Sequence, residues 1–416
     1  MNLATRCTKG MVMPVMAEPK LMNAADKKKL AVQFILLFGV VSALGDITYE
    51  GARSIYGPYL GFLGASAAVI GLITGIGEFL GYFLRLVSGY FVDRTGQYWL
   101  ITILGYGMLI AVPLLAIAGN WQVAVIFIML ERIGKAIRSP AKDALLSYAT
   151  KRIGTGLGFG IHEALDQTGA VIGPLLFAAG LAINGNYTTG FHIMWIPAIL
   201  TVAVVVATRL KVPNPAMLEE DVVHKPAEQP ADKKLSKAFW LYAVFTFLSV
   251  LGFANFQLIS YHWQVKEVVA AAAIPTLYAV AMAVDAVGAL IIGKTYDKKG
   301  MISLIAIPVL TVAIPFLGFS DSYVLVVAAA VLWGVVMSIH ETIMRAAIAD
   351  MTPIGNRGFA YGIFNMLYGT AWFVGSAAMG LLYDMSVHYI FSFVAVIEII
   401  AIFVFLLLRS NLKHPA

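Results

Sequence analysis

The sequence predicts an all-α membrane protein, with twelve transmembrane helices in two pseudo-symmetric six-helix bundles. Three observations carry that prediction. About twelve apolar stretches, each near 20 residues long, run from Leu30 to Arg409, and roughly 20 apolar helical residues span the hydrocarbon core of a bilayer. Hydrophobic residues make up 60% of the chain and charged ones 12%, against about 25% charged in a soluble domain. One polar segment, 211–237, divides the stretches six and six.

Residues 1–29 lack the continuous apolar core of a signal peptide and end in Lys27, Lys28 and Lys29, so they are read as a cytoplasmic tail. The N-terminal bundle, 30–210, is expected to hold helices over 30–52, 66–92, 98–118, 121–148, 156–183 and 190–209. Segment 211–237 holds Pro213, Pro215, Pro226 and Pro230 beside Glu219, Glu220, Asp221, Lys233 and Lys234. It is too polar and proline-rich to bury and reads as a cytoplasmic linker. The C-terminal bundle, 238–408, is expected to repeat the plan over 238–261, 268–293, 301–319, 323–349, 358–383 and 387–408, before a tail over 409–416. With the N-terminus inside, the cytoplasmic connections and tail carry Arg94, Lys151, Arg152, Lys298, Lys299, Arg357, Arg409 and Lys413, while the opposite loops carry little beyond Lys266. That bias sets both termini on the cytoplasmic side of a multi-pass plasma-membrane protein.

The same bias explains the net charge of +6 without a nucleic-acid partner, because the basic residues sit in short loops rather than along one face. The single cysteine, Cys7, excludes a disulfide framework and a cysteine metal cluster. No metal site or cofactor is expected, and no nucleophile, base and orienting acid stand together as an enzyme would need. A sequon, Asn186-Tyr187-Thr188, falls in an outer loop and reads as a chance match. A monomer is expected.

An internal repeat is visible residue by residue. Gly89, Asp93, Arg94 and Gly96 recur as Gly293, Asp297, Lys298 and Gly300; Arg138 and Asp143 recur as Arg345 and Asp350; Gly160 and Gly173 recur as Gly362 and Gly375. Three pairs in the same order support a duplicated six-helix unit.

Gly89-Tyr-Phe-Val-Asp93-Arg94-Thr-Gly96, between the second and third helices, resembles the signature loop of the major facilitator superfamily, and its second copy stands where that family has one. The resemblance covers residues 30–408. Gln97 and Tyr98 stand where the family often has two further basic residues. The resemblance implies a conformational gate at Gly89, Asp93, Arg94, Gly293 and Asp297; the alternative is that Asp93 caps a helix end. In the fifth helix Gly160, Gly169 and Gly173-Pro174 look like the antiporter signature of the drug/proton exchangers, although Phe177 and Ala178 replace its trailing glycines. Small residues let helices approach closely, and similar strings also arise from packing alone.

Ionisable residues inside a membrane are functional candidates by default. The first helix places Asp46, Glu50 and Arg53 on one face; the second has Glu78 and Arg85; the fourth has Glu131, Arg132, Lys135 and Arg138; the fifth has His162, Glu163, Asp166 and Gln167. Asp285, His340, Glu341 and Arg345 follow in the second half. Near balance of sign suggests that many form buried ion pairs, yet their clustering in helices 1, 2, 4 and 5 points to a polar cavity wall. Carboxylates without a basic neighbour at helical spacing make the better proton carriers, which selects Asp46, Glu163, Asp166 and Asp285, with Glu78 intermediate. His340 either titrates near neutrality or is a hydrogen-bonded structural residue. The second half offers Asn255, Gln257, Asn365, Tyr368 and Trp372; the last two share a helix face and either stack an organic solute or simply pack.

The expected function is secondary active transport of a small solute by alternating access, most simply proton-coupled efflux of an organic molecule. Uptake of an organic anion by symport, using Arg85, Arg132, Lys135 and Arg345, is the first alternative. A non-transporting receptor or lipid-handling protein on the same scaffold is the second. No nucleotide-binding loop occurs, so ATP is not the expected driver.

Overall fold

The structure is a computed structural model and describes residues 24–218, 235–352 and 357–413. Its helices are α1 (Ala24–Arg53), α2 (Tyr56–Phe62), α3 (Ala67–Thr95), α4 (Tyr98–Gly107), α5 (Ala111–Leu114), α6 (Trp121–Ile153), α7 (Thr155–Asn184), α8 (Tyr187–Ile193) and α9 (Trp195–Lys211). After the linker come α10 (Lys237–Leu251), α11 (Phe256–Val265), α12 (Ile274–Lys299), α13 (Ala306–Thr311), α14 (Ala313–Gly318), α15 (Tyr323–Met351), α16 (Arg357–Met385) and α17 (Val387–Lys413). Among the described residues there is no strand. Cys7, most of the linker and the last three residues of the chain lie outside the described residues, as does the side chain of Arg345.

Nine stretches of the described chain are long and apolar enough to cross a membrane, one of which, Ala271–Gly318, contains α12, α13 and α14. Neither α6 nor α16 is among them. The first carries six charged side chains between Glu131 and Asp143, and the second interleaves its apolar residues with glycine, tyrosine and Asn365.

Several stretches read as continuous helices are broken. The third, read as 98–118, is interrupted between α4 and α5, and the seventh, read as 238–261, unwinds over residues 252–255 between α10 and α11; α2 is a short helix after the first span, where none was expected. Hydropathy averages over such breaks, so they leave no trace in it. Asn255 is explained by the second break: its Oδ1 accepts from the Leu258 amide at 2.8 Å and caps α11. Its side chain is fully buried there, so its expected place on a cavity wall is corrected. Asn186 likewise caps α8, accepting from the Thr188 amide at 2.9 Å.

The repeat reappears as packing. α1 lies along α7, and α10 along α16; α3 lies along α16, and α12 along α7. A Cβ on Gly173 would stand 2.3 Å from the Ile47 carbonyl oxygen, and one on Gly375 would stand 2.3 Å from that of Leu251. The same backbone-to-backbone approach is thus made twice. Gly169 joins it, 2.2 Å from the Ala43 oxygen by the same measure, whereas a Cβ on Gly160 would meet nothing within 4 Å. The helix-5 pattern is therefore a packing seam for its second and third glycines and not for its first.

Each signature loop ends its helix on a glycine of positive φ. Gly96 closes α3 at φ 64° and Gly300 closes α12 at φ 61°, a left-handed backbone that favours glycine. Asp93 lies inside the last turn of α3, so it caps no helix N-terminus.

The sequence reading passed over Glu398 of α17. It is fully buried, and neither carboxylate oxygen has a hydrogen-bond partner. Its Oε1 packs so closely on Gly252 that a Cβ there would stand 2.3 Å away. Unsatisfied buried polar atoms cost about 1–3 kcal/mol each. Glu398→Met is therefore expected to raise the midpoint of thermal unfolding in detergent by several degrees; a lower midpoint would show that the carboxylate is bound to a partner.

Candidate functional site

The charged face of α1 meets α3 and α6 in a buried ion cluster. Glu78 Oε1 accepts from Arg53 Nη2 at 2.8 Å and from Arg132 Nη1 at 3.0 Å. Glu50 Oε1 stands 3.5 Å from Arg53 Nη1 and 3.6 Å from Lys135 Nζ, and its Oε2 accepts from the Tyr278 hydroxyl at 2.7 Å. Tyr49 completes the cluster: Arg132 donates to its hydroxyl, and Lys135 Nζ sits 3.5 Å from its ring centroid, a cation–π contact. Tyr278 belongs to α12, so this network ties the two halves of the sequence together.

The cluster forms the floor of a cavity of about 330 Å³. Asp46, Asp143, Glu163, Asp166, Asp285 and Glu341 line it with Glu50, and the cations Arg53, Arg85, Lys135 and Lys142 face them. Seven carboxylates against four cations leave the lining acidic. A smaller compartment of about 110 Å³ continues from it, sharing Glu50, Arg53, Arg85, Lys135, Met337 and Glu341, and adding Glu78, Tyr82, Arg132 and Trp372. His340, Asn365 and Tyr368 border a third recess beside Tyr82 and Glu341.

The cavity opens at the end of the bundle that carries the signature loops. Exposure grows in that direction, from the buried Glu50 and Arg53 to Asp143, whose side chain is 58% exposed. Asp93 and Asp297 are exposed there, and neither is in an ion pair among the described residues. The opposite end is sealed. α2 packs on α11 so tightly that a Cβ on Gly57 would stand 1.9 Å from the Gln257 carbonyl oxygen. α3 packs on α16 with Gly71 against the Ser376 carbonyl. Asp384, at the end of α16, caps the start of α3 by accepting from the Ala67 and Ala68 amides at 3.2 and 3.0 Å.

Three of the residues expected on the cavity are not on it: Asn255, Gln257 and Glu131. Gln257 is buried at the sealed end, its carbonyl against Gly57. Asn255 caps α11, as described above. Glu131 is buried below the cavity, 4.0 Å from Arg132 Nε, and both its oxygens lack a hydrogen-bond partner; it faces the core of the first repeat because it lies one residue round α6 from Arg132. Glu78 is reached, but two guanidiniums share its Oε1, which makes it an anchor for cations rather than a free carboxylate. His340 is buried with Nδ1 3.3 Å from the Tyr368 hydroxyl, and Tyr368 stacks on Trp372 at 5.8 Å. Sequence reading missed Tyr49, Tyr278 and Lys142. Lys142 had a signal: it extends the stripe of Lys135 and Arg138 on α6 by one turn, and it brings a cation to Asp46 and Asp166 that local spacing had hidden.

An all-helical bundle with apolar membrane-length helices and a charge-lined cavity, open at one end and sealed at the other, is built as a multi-pass membrane transporter. The family model of the Major Facilitator Superfamily matches residues 31–345 and 303–416, and the chain belongs to that superfamily. It is 42% identical over 389 residues to an uncharacterized protein of Mycobacterium tuberculosis, covering 93% of this chain and 95% of that one. It is 26% identical over 401 residues to an uncharacterized MFS-type transporter of Methanocaldococcus jannaschii, covering 92% and 97%. Among solved structures, a bacterial homolog of the human lysosomal transporter Spinster, in an inward-facing and unoccupied conformation, superposes with a TM-score of 0.73 at 15% identity, covering 93% of this chain and 99% of that one. A variant of the nucleoside transporter NupG gives 0.71 at 13% identity, covering 90% and 99%. At these identities the structures share the fold.

Proposed function

We propose that this transporter moves a small organic molecule out of the cell in exchange for protons, by alternating access between two six-helix halves. The observation that carries the reading is a polar cavity, walled by both sequence repeats, that opens at one end only. That is what one state of an alternating-access cycle needs. Twelve crossings follow if α6 and α16 are counted and the Ala271–Gly318 run is divided at the Gly300 turn; Arg132, Lys135, Lys142 and Asp143 of α6 then face the cavity, and Glu131 and Arg138 are buried in protein rather than set against lipid. The lysines and arginines at the open end support a cytoplasmic position for it and for both termini.

Proton coupling is supported by the surplus of carboxylates on the cavity. Asp285, 3% exposed, lines the cavity and makes no hydrogen bond or ion pair among the described residues. Asp46, Glu163 and Asp166 complete the proton-carrying set, and Glu78 leaves it because Arg53 and Arg132 hold it. Efflux rests on the resemblance of the fifth helix to the exchangers.

The reading is tested in proteoliposomes loaded with a pH-sensitive dye and challenged with a panel of organic cations, anions and zwitterions. A transported solute should drive proton movement that a protonophore dissipates. Glu163→Gln, on the same lining, should keep solute-for-solute exchange while lowering gradient-driven accumulation at least tenfold. Accumulation only in right-side-out vesicles would replace efflux by uptake, and binding without any flux would replace the transporter by a receptor.

A further inference from the structure

The cavity has two chemically different ends. At one end, Arg85 has its Nε buried without a partner, and among the described residues no carboxylate lies within 4.0 Å of its guanidinium. The Nε1 of Trp372 is likewise buried without an acceptor, although the side chain is only 4% exposed and lines the smaller compartment. The other cations of that compartment are committed: Arg53 and Arg132 to Glu78, and Lys135 to Glu50. The Arg85 Nε, whose guanidinium lies over the Tyr82 ring at 5.5 Å, and the Trp372 Nε1 are thus donors without an acceptor on one shared wall. At the other end Asp285 is an acceptor without a donor, with Asp46 and Asp166 on the same lining.

We infer that the solute is a zwitterion, with its anionic group on Arg85 and the Trp372 indole N–H and its ammonium group on Asp285. This rests on the reading of the chain as a carrier and deepens it. An anion alone would satisfy the two donors in the smaller compartment, but it would leave Asp285 without a donor and would have to pass the larger compartment, lined by seven carboxylates against four cations. A cation alone would satisfy Asp285 and leave the Arg85 Nε–H and the Trp372 indole N–H buried and unpaired, at about 1–3 kcal/mol each. Only a molecule carrying both groups meets both ends. The two compartments are continuous through Arg85 and Met337, so the groups are joined by a short apolar spacer that Met337 and the Tyr82 ring can cover. The larger compartment, about 330 Å³, falls at the small end of ligand pockets.

Sites built to hydrogen-bond a group reject analogues that lack it more strongly than apolar pockets reject a missing methylene, which makes the inference measurable. Two matched series serve as probes: phenylalanine, phenethylamine and hydrocinnamate; and, with the charges further apart, aminocaproate, hexylamine and caproate. Binding to the purified full-length protein is measured by titration calorimetry, with thermal unfolding as the check that each variant folds. In at least one series the zwitterion should bind at least about tenfold tighter than both singly charged members. Arg85→Gln should lower zwitterion affinity to that of the amine and leave the amine unchanged. Asp285→Asn should lower it to that of the acid and leave the acid unchanged. Should Arg85→Gln fail to fold, Arg85→Lys keeps the charge without the fork and should give an intermediate loss. A singly charged member matching the zwitterion in both series, no zwitterion binding in either, or full affinity in a folded Arg85 variant would overturn the inference. Binding without flux would instead overturn the carrier reading and leave the site standing.

Discussion

Glu78→Ala is expected to be the most destabilising single substitution in the N-terminal half, at about 3–5 kcal/mol, the range for removing one partner of a buried ion pair. One carboxylate oxygen holds two guanidiniums, whose side chains are only 10% and 7% exposed. Its loss leaves Arg53 with Glu50 at 3.5 Å, a carboxylate already shared with Lys135 at 3.6 Å. Arg132 is left with the Tyr49 hydroxyl and the distant Glu131. Two cations would then face one another across the cavity floor without the charge that separates them. Glu78→Gln keeps the shape and one acceptor but turns an N–H towards a cation, so it should lose less. A fall in the midpoint of thermal unfolding on the order of 10 °C for the alanine variant is expected. A loss below about 1 kcal/mol, the worth of an exposed pair, would mean that water reaches the cluster and that the floor is wet.

The contrast between what was legible in the sequence and what was not follows the range of the forces. The helices announced themselves because hydropathy is a local sum, and the charged stripe of α6 because positions three and four apart share a face. The matched loops were legible as a repeat, and their glycines close α3 and α12 at a similar positive φ, although the turns diverge beyond it. Pairings between helices were not legible. Nothing local says that Glu78 of α3 lies between Arg53 of α1 and Arg132 of α6, or that Tyr278 of α12 reaches Glu50. The helix-7 break was hidden because Gly252 to Asn255 sit in an apolar run, and the polar Asn255 was taken for a wall residue when its side chain serves as a cap. Glu398 and Asp384 escaped for one reason: neither has a charged partner at helical spacing, and each is defined by backbone from another helix, Gly252 in one case and the start of α3 in the other.

Opening the sealed end should have the largest effect on transport. A side chain at Gly57 would collide with the backbone of Gln257, since a Cβ would stand 1.9 Å from its oxygen and 2.7 Å from its carbonyl carbon. Backbone cannot rotate away as a flexible side chain can, so Gly57→Leu must separate α2 from α11. That contact exists only while this end is closed, so the substitution penalises the present conformation and not its alternative. Each 1.4 kcal/mol of such a penalty shifts the ratio of states about tenfold. Asp384→Ala acts in the same direction by a different route, because it frees the Ala67 and Ala68 amides that the carboxylate caps across the seal. The readout is a cysteine at Ser376, buried here at 2% exposure beside Gly71, in a Cys7→Ser background. Labelling by a membrane-impermeant maleimide from the sealed side should quicken at least tenfold in both variants, while solute flux falls by a similar factor because the cycle no longer returns to the present state. Gly119→Ala, where a Cβ meets nothing within 4 Å, should change neither. Unchanged labelling in a folded Gly57→Leu protein would mean that the α2–α11 contact is not what closes this end, and the alternating-access reading would lose its gate there.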